Sequence, residues 1–440
     1  MQLPEVFLAR MKELLGAEYD DFLASYESPS LRGLRLNLLK SCYWDGFADF
    51  TTVPWCSEGF IVPEDIRPSK DILYRAGLFY IQEPSAMCPA QVLAAQPGER
   101  VLDICAAPGG KSAQIAGHMR GKGLLVANDA SPSRCKALTK NLEMAGVTNA
   151  IVLAEQPKKL AERFPEFFDR ILVDAPCSGE GMFRRDAEAV KAYTANKPEA
   201  CMRMQREILH YAAHLLKPGG RLVYSTCTFN PMENEDVIAW FLAGHGDFSL
   251  VPIDHEVLGV APGMAGLTHT ARIWPHLASG EGHFVACLQK NGEAHSPANN
   301  YRAPKVPKEF AEFCGTYLKD FNLHRPIVKH GVSLYIQPTE LDLAGLRVVR
   351  SGWYVGDISG GRFSPSQALA MGISPADAAY PVELSQDDAW RYLRGESIPA
   401  DVALEGKPWV LICHLGFPLG WARLVQGRLK NSLPVGWVVK

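Results

Sequence analysis

Between about Leu78 and Leu288 the chain repeats one pattern: a short β-branched or apolar run, a loop, then a helical stretch. Val101-Leu102-Asp103-Ile104 is followed by a helix over Ser112 to Met119. Leu124-Leu125-Val126-Ala127 is followed by a helix from Pro132 to Ala145, stopped at Gly146, and Ala150-Ile151-Val152-Leu153 is a third strand. Ile171-Leu172-Val173 and Arg221-Leu222-Val223 are two more. A long helix around Glu199 to Leu216 and a turn at Lys217-Pro218-Gly219-Gly220 lie between them, and His283 to Leu288 is the last strand. Short apolar strands alternating with helices predict a parallel, doubly wound α/β sheet. Such a sheet gathers its strand ends at one crevice, so residues far apart in sequence meet there.

The flanks differ. Of 440 residues, 1–75 form a small α+β unit. Val6-Phe7, Met11, Leu14-Leu15 and Phe22-Leu23 keep a helical period, and Gly33 to Leu39 alternates like a strand. Trp55 to Lys70, with Pro63 and Pro68, is expected as loop. Residues 76–290 carry the repeated pattern, 291–307 form a polar linker, and 308–440 a β-rich region. In that region strands are expected at Val332 to Tyr335, Leu346 to Val349, Gly352 to Ile358, Trp409 to His414 and Leu419 to Val425.

No segment approaches the ~18 uncharged apolar residues that span a bilayer, and the N-terminus lacks a signal pattern. A cytoplasmic protein free of membrane contact is expected. The 11 cysteines are odd in number and scattered. Without a Cys-x-x-Cys pair they are expected to be free thiols, with no metal site. A net charge of −3 gives no general basic surplus for nucleic acid. After Glu405, however, acids stop while Lys407, Arg423, Arg428, Lys430 and Lys440 follow: either a local patch or a coincidence.

Three segments carry chemistry. Cys105-Ala106-Ala107-Pro108-Gly109-Gly110-Lys111 joins a strand to a helix. Its small residues let a ligand approach the backbone, and the helix N-terminus favours negative charge. It is neither a Walker loop nor a Gly-x-Gly-x-x-Gly fingerprint; the carboxylate-bearing tail of S-adenosylmethionine suits it. Asp129, ending the next strand, is placed to accept hydrogen bonds from ribose hydroxyls. Asp174-Ala175-Pro176-Cys177 puts an acid and a thiol at a strand end. Either Asp174 meets an amino group or ring nitrogen of a base, or it caps a turn and Cys177 fills space. Cys227, in Ser225-Thr226-Cys227-Thr228, is either a nucleophile or a buried structural cysteine. One scheme for methylating cytosine carbon 5 uses two thiols and one acid around a methyl donor, the inventory seen here. A thiolate adds to carbon 6, the resulting enamine takes the methyl group, and a second group assists release. Which sulfur attacks is left open by position alone.

Gly77 to Ala86, Cys105 to Lys111, Asp174 to Gly181, and Thr226-Cys227 with Glu233-Asn234-Glu235 together resemble the RNA cytosine-5 methyltransferases of the Nol1/Nop2/Sun group. The resemblance implies a Rossmann-like class I methyltransferase domain using S-adenosylmethionine. It implies Cys227 as nucleophile and Cys177 as the residue assisting release. It further implies cofactor or base contacts from Cys105, Ala106, Ala107, Pro108, Gly109, Gly110, Lys111, Asp129, Arg134 and Asp174. Where the family places an aspartate beside the adenine, this chain reads Ala154-Glu155-Gln156-Pro157, so Gln156 or Glu155 would take that contact. Phe363 to Leu369, Trp390 to Gly395, Gly420-Trp421 and Leu429 to Asn431 look like the tail of the bacterial small-subunit rRNA members. That tail implies a terminal PUA-like fold and an rRNA partner; separately, a monomer is expected. Arg35, Asn37 and Lys40 then form a candidate RNA clamp or a solvated strand edge; Trp409, Trp421 and Trp437 either stack on bases or fill a core. The alternatives are a cytosine-5 enzyme of tRNA or DNA, the DNA enzymes attacking through the Pro-Cys cysteine, and a non-catalytic rRNA-binding assembly protein.

Overall fold

The computed structural model describes residues 3–40, 46–47, 49–293, 305–319, 321, 324–400 and 409–439. Lys407, Lys440 and most of the expected linker lie outside them.

An antiparallel sheet of order β2-β3-β1-β4 forms the N-terminal unit, from β1 (Arg32–Leu36), β2 (Thr51–Val53), β3 (Cys56–Val62) and β4 (Phe79–Ile81). β3 lies where the prolines suggested loop; they flank the strand instead. Helices Glu5–Leu15 and Tyr19–Ser25 precede the sheet, and their Phe7, Met11 and Phe22 pack on Phe183, Phe229 and Trp274 of the next domain.

The central sheet contains β5 (Arg100–Asp103), β6 (Leu124–Asn128), β7 (Ala150–Leu153), β8 (Phe168–Asp174), β9 (Leu216–Thr226), β10 (Phe248–Leu250), β11 (Ala261–Pro262), β12 (Ala271–Ile273) and β13 (His283–Lys290). β6 and β7 are buried at every position, as expected of strands covered by helices on both faces. β9, β8, β5, β6 and β7 are parallel neighbours in that order, while β13 lies antiparallel on β9. The expected all-parallel sheet is therefore mixed. The expected Lys217 to Gly220 turn lies inside β9, whose pairing with β8 shifts register between Phe168 and Arg170. β5 has β6 on one side and β8 on the other, so the strand order reverses at β5. Ligands of such sheets sit at this switch point, beyond the strands' carboxyl ends.

The C-terminal region holds two sheets. One joins β14 (Ile327–His330), β15 (Ser333–Ile336), β17 (Trp353–Ser359) and β18 (Arg362–Pro365) under helix Lys308–Tyr317. β16 (Val348–Arg350) instead leaves its own unit and pairs antiparallel with β7, at the edge of the central sheet. The other sheet has order β19-β21-β22-β23-β20, from β19 (Pro381–Glu383), β20 (Ile398–Pro399), β21 (Trp409–His414), β22 (Phe417–Val425) and β23 (Arg428–Asn431). Trp409 and Trp421 are core residues, and Trp421 Nε1 donates to Ser366 O at 3.0 Å. Trp437 is half-buried, 5.7 Å beneath the Lys140 ammonium.

The clamp reading of Arg35 and Asn37 fails because both are buried in the joint between the first two units. Arg35 donates to Gln82, Gln114 and Gly110 O, and Asn37 Nδ2 to Gly77 O and Ala145 O. Lys40 Nζ donates to Ala76 O at 2.6 Å. Gly77 has φ +71°, and a Cβ there would lie 1.9 Å from Met144 O.

Candidate active site

A cavity of about 490 Å³ opens at the switch point, lined by Tyr80, Gln82, Asp103, the 105–108 loop, Lys111 and Asp174. The loop leaves β5 and enters helix Gly110–Met119 through Gly109, whose φ of +112° suits glycine. A Cβ on Gly110 would meet the Tyr80 ring at 2.9 Å. The sequence reading passed over Asp103. It is fully buried, takes a 2.6 Å bond from Ser112 Oγ on Oδ2, and leaves Oδ1 without a partner among the described residues. Burial pushes its carboxyl up to about 7.

S-adenosylmethionine fits these residues. The free Asp103 oxygen suits an ammonium group, and the small-residue loop permits close approach. Asp129 stands just past β6, its Oδ1 taking Ser131 N–H and its Oδ2 3.1 Å from Arg134. Arg134 also donates to Ala107 O at 2.7 Å, tying the acid to the loop. Beyond β7, Glu155 is buried and held by the backbone N–H of Arg347 (2.5 Å), just before β16. Gln156 beside it is exposed. Cys105 lines the cavity, but burial pushes its thiol well up, with Asp103 adding to the effect.

The second half of the site hangs from the ends of β8 and β9. Lys111, expected among the cofactor contacts, turns to Asp174: Nζ lies 2.8 Å from Oδ2. Ser225 Oγ donates to Oδ1 at 2.8 Å. Burial opposes the Asp174 charge, yet Lys111 and His283 hold its carboxyl well below the usual range. The sulfurs of Cys177 and Cys227 are 3.3 Å apart. The hydrogen bond to Cys227, followed by burial, pushes the Cys177 thiol well up, so it stays protonated.

Glu233 fastens both cysteine loops. Its Oε1 takes Ser178 N–H at 2.8 Å, its Oε2 takes Ser178 Oγ at 2.5 Å, and Ser178 Oγ meets Thr228 Oγ1 at 2.8 Å. Gln205 Nε2 bonds Pro176 O and Glu233, and Gly181 N–H donates to Cys227 O at 2.9 Å. Burial pushes the Glu233 carboxyl from 4.5 to about 7. The folded state thus binds this proton more tightly. The contribution is complete at pH below the unfolded value and is lost as pH rises through the folded value. Glu233→Gln, which cannot ionise, is expected to gain stability relative to wild type between about pH 5 and 7. Melting temperatures of both proteins across that range test this, and a constant difference contradicts it.

A larger cavity, about 650 Å³, lies at the far ends of the strands and includes His210, His214 and His245. His210 and His214 form a His-x-x-x-His spacing that the sequence reading overlooked. Among the described residues, no three metal-binding side chains are arranged to hold an ion, and none of the groups above reaches this cavity.

Four family models cover the chain. The model of the 16S rRNA methyltransferase RsmB/F matches residues 90–289, and that of the N-terminal domain of 16S rRNA methyltransferase RsmF matches 3–84. The RsmF first C-terminal domain matches 312–373 and the RsmF PUA domain 379–439. Two relatives share the name ribosomal RNA small subunit methyltransferase F. That of Enterobacter sp. (strain 638) is 34% identical over 465 residues, 98% of this chain and 95% of the relative. That of Erwinia tasmaniensis is 32% identical, covering 98% and 96%. Among solved structures, a methyltransferase homologue from Pyrococcus horikoshii matches with 32% identity and TM-score 0.58, over 65% of this chain and 95% of its own. No helix among the described residues is long and apolar enough to cross a membrane. With its fold, its domain order and relatives matched almost end to end, the chain belongs to the RsmB/F family of 16S rRNA methyltransferases and is an S-adenosylmethionine-dependent RNA methyltransferase.

Proposed function

We propose that this enzyme methylates carbon 5 of a cytosine in small-subunit rRNA through a covalent bond between Cys227 and carbon 6. The observation that carries the reading is the pair of sulfurs 3.3 Å apart beside the Asp174–Lys111 pair at the switch point. The cofactor supplies an electrophilic methyl group. Cys227 adds its sulfur to carbon 6, making carbon 5 nucleophilic. Asp174 accepts a hydrogen bond from the base's amino group, while Lys111 balances the charge. After methyl transfer the carbon-5 proton passes to water, its bonding electrons re-form the carbon 5–carbon 6 double bond, and the sulfur–carbon 6 bond breaks with its pair returning to Cys227. Cys177, kept neutral, hydrogen-bonds the departing Cys227 sulfur.

Asp103, Asp129, Arg134 and the 105–110 loop hold the cofactor in this reading. Gln156 takes the adenine contact, since Glu155 is engaged by Arg347. Arg423 and Lys430 are exposed and face each other across β22 and β23, so they suit phosphate contacts. The target base is flipped or looped out, at about a few kcal/mol.

Cys177→Ser is expected to stall release and accumulate a protein–RNA adduct on denaturing gels; no adduct above the wild-type level counts against the assignment. The reading as a whole is tested with labelled cofactor on small-subunit rRNA, tRNA and DNA, and by bisulfite sequencing of rRNA from a deletion strain. One rRNA cytosine losing its mark is expected. Label on tRNA or DNA alone, or on none, overturns it.

A further inference from the structure

Asp174 has a third neighbour whose part the scheme above leaves empty. His283 opens β13, next to the β9 end that carries Cys227, and is 5% exposed. Its Nδ1 lies 3.1 Å from Gly282 O and 3.3 Å from Ser85 Oγ. Ser85 Oγ is in turn held by Glu83. Nε2 is buried, has no hydrogen-bond partner among the described residues, and lies 3.8 Å from Asp174 Oδ1. A bare lone pair turned toward a carboxylate would be repelled, and an unpartnered buried nitrogen is costly. A hydrogen on Nε2 relieves both penalties. The remaining gap is of the kind that closes when substrate binds.

Resting on the cytosine-5 reading, we propose that His283 is a positioning residue for Asp174, closing Nε2–H on Oδ1. Lys111 and His283 then grip different oxygens of one carboxylate. The acid is thereby aimed at the base's amino group.

The test compares His283→Phe, which fills the space without a donor, with His283→Gln, whose amide restores one. His283→Phe is expected to lower kcat about ten- to a hundredfold, the range for a misaimed group, with little change in KM for the cofactor. His283→Gln is expected to recover much of the loss. An unchanged kcat in His283→Phe, or equal losses in both variants, overturns the proposal. Nitrogen-15 NMR of histidine-labelled protein without cofactor or RNA gives a readout independent of turnover. Nε2 of His283 is expected to carry a hydrogen in wild type; an Nε2 without one overturns the proposal. If the wild-type enzyme forms no 5-methylcytosine, the functional reading fails on its own, whatever the ring nitrogens report.

Discussion

Cys227→Ser is expected to lose methyl transfer by about a thousandfold or more, as loss of a covalent nucleophile does. A serine hydroxyl is far less acidic than a thiol and adds poorly to carbon 6. The surrounding backbone has no reason to move: Cys227 O keeps its bond from Gly181 N–H, and Thr226 Oγ1 still donates to Asn234 Oδ1 at 2.5 Å. Cofactor affinity, measured by calorimetry, should stay within about twofold, because Asp103, Asp129 and the loop stand on other strands. Combining Cys227→Ser with Cys177→Ser should also abolish the adduct that Cys177→Ser alone accumulates. Retained turnover in Cys227→Ser would reverse the two roles.

The largest expected loss of stability follows removal of Arg272. This side chain is 1% exposed, donates to both oxygens of Glu235 at 2.7 and 2.5 Å, and donates to Phe229 O at 3.0 Å. Its guanidinium lies 4.9 Å from the Trp274 ring and 5.7 Å from Phe284. Arg272→Leu leaves the Glu235 carboxylate buried, with Met264 N–H as its remaining donor among the described residues. The cost is about 3–5 kcal/mol, the range for breaking a buried pair from one side. A lower urea midpoint at unchanged slope would register it. Arg272→Leu with Glu235→Leu should recover much of the loss, since apolar replacement of both partners is often neutral. Equal stability of the single variant and wild type would contradict the argument.

Legibility followed the range of the interaction. The 105–111 loop, Asp129 and the two cysteines were readable because strand, small-residue turn and helix are local signals. β7 matched its expected bounds because four consecutive apolar residues stand between turns. β3 was missed because Ser57, Glu58 and Gly59 dilute its pattern and prolines flank it. Asp103 was hidden as one residue of an apolar strand, and His283 as the polar start of another. No local pattern says that either faces the crevice, since that depends on neighbours as distant as Ser85. The pairing of Lys111 with Asp174 was not legible, because the two lie 63 positions apart. Arg35 and Asn37 looked like surface residues because charge and polarity favour exposure. Their partners in three other segments supply the hydrogen bonds that make burial tolerable.

The pairing of β16 with β7 bears on how the chain can be cut. A strand from the C-terminal half completes the catalytic sheet, and Ala154 N–H donates to Arg347 O beside it at 2.9 Å. Removing everything after Gly292 would leave β7 as a bare, wholly apolar edge, a template for another copy of itself. Such a shortened protein is expected to form larger assemblies in light scattering than the full chain does, and an equal number of chains per particle would contradict this. The C-terminal region would then also shield the catalytic sheet, and its loss would remove activity through aggregation even with every residue of the site intact.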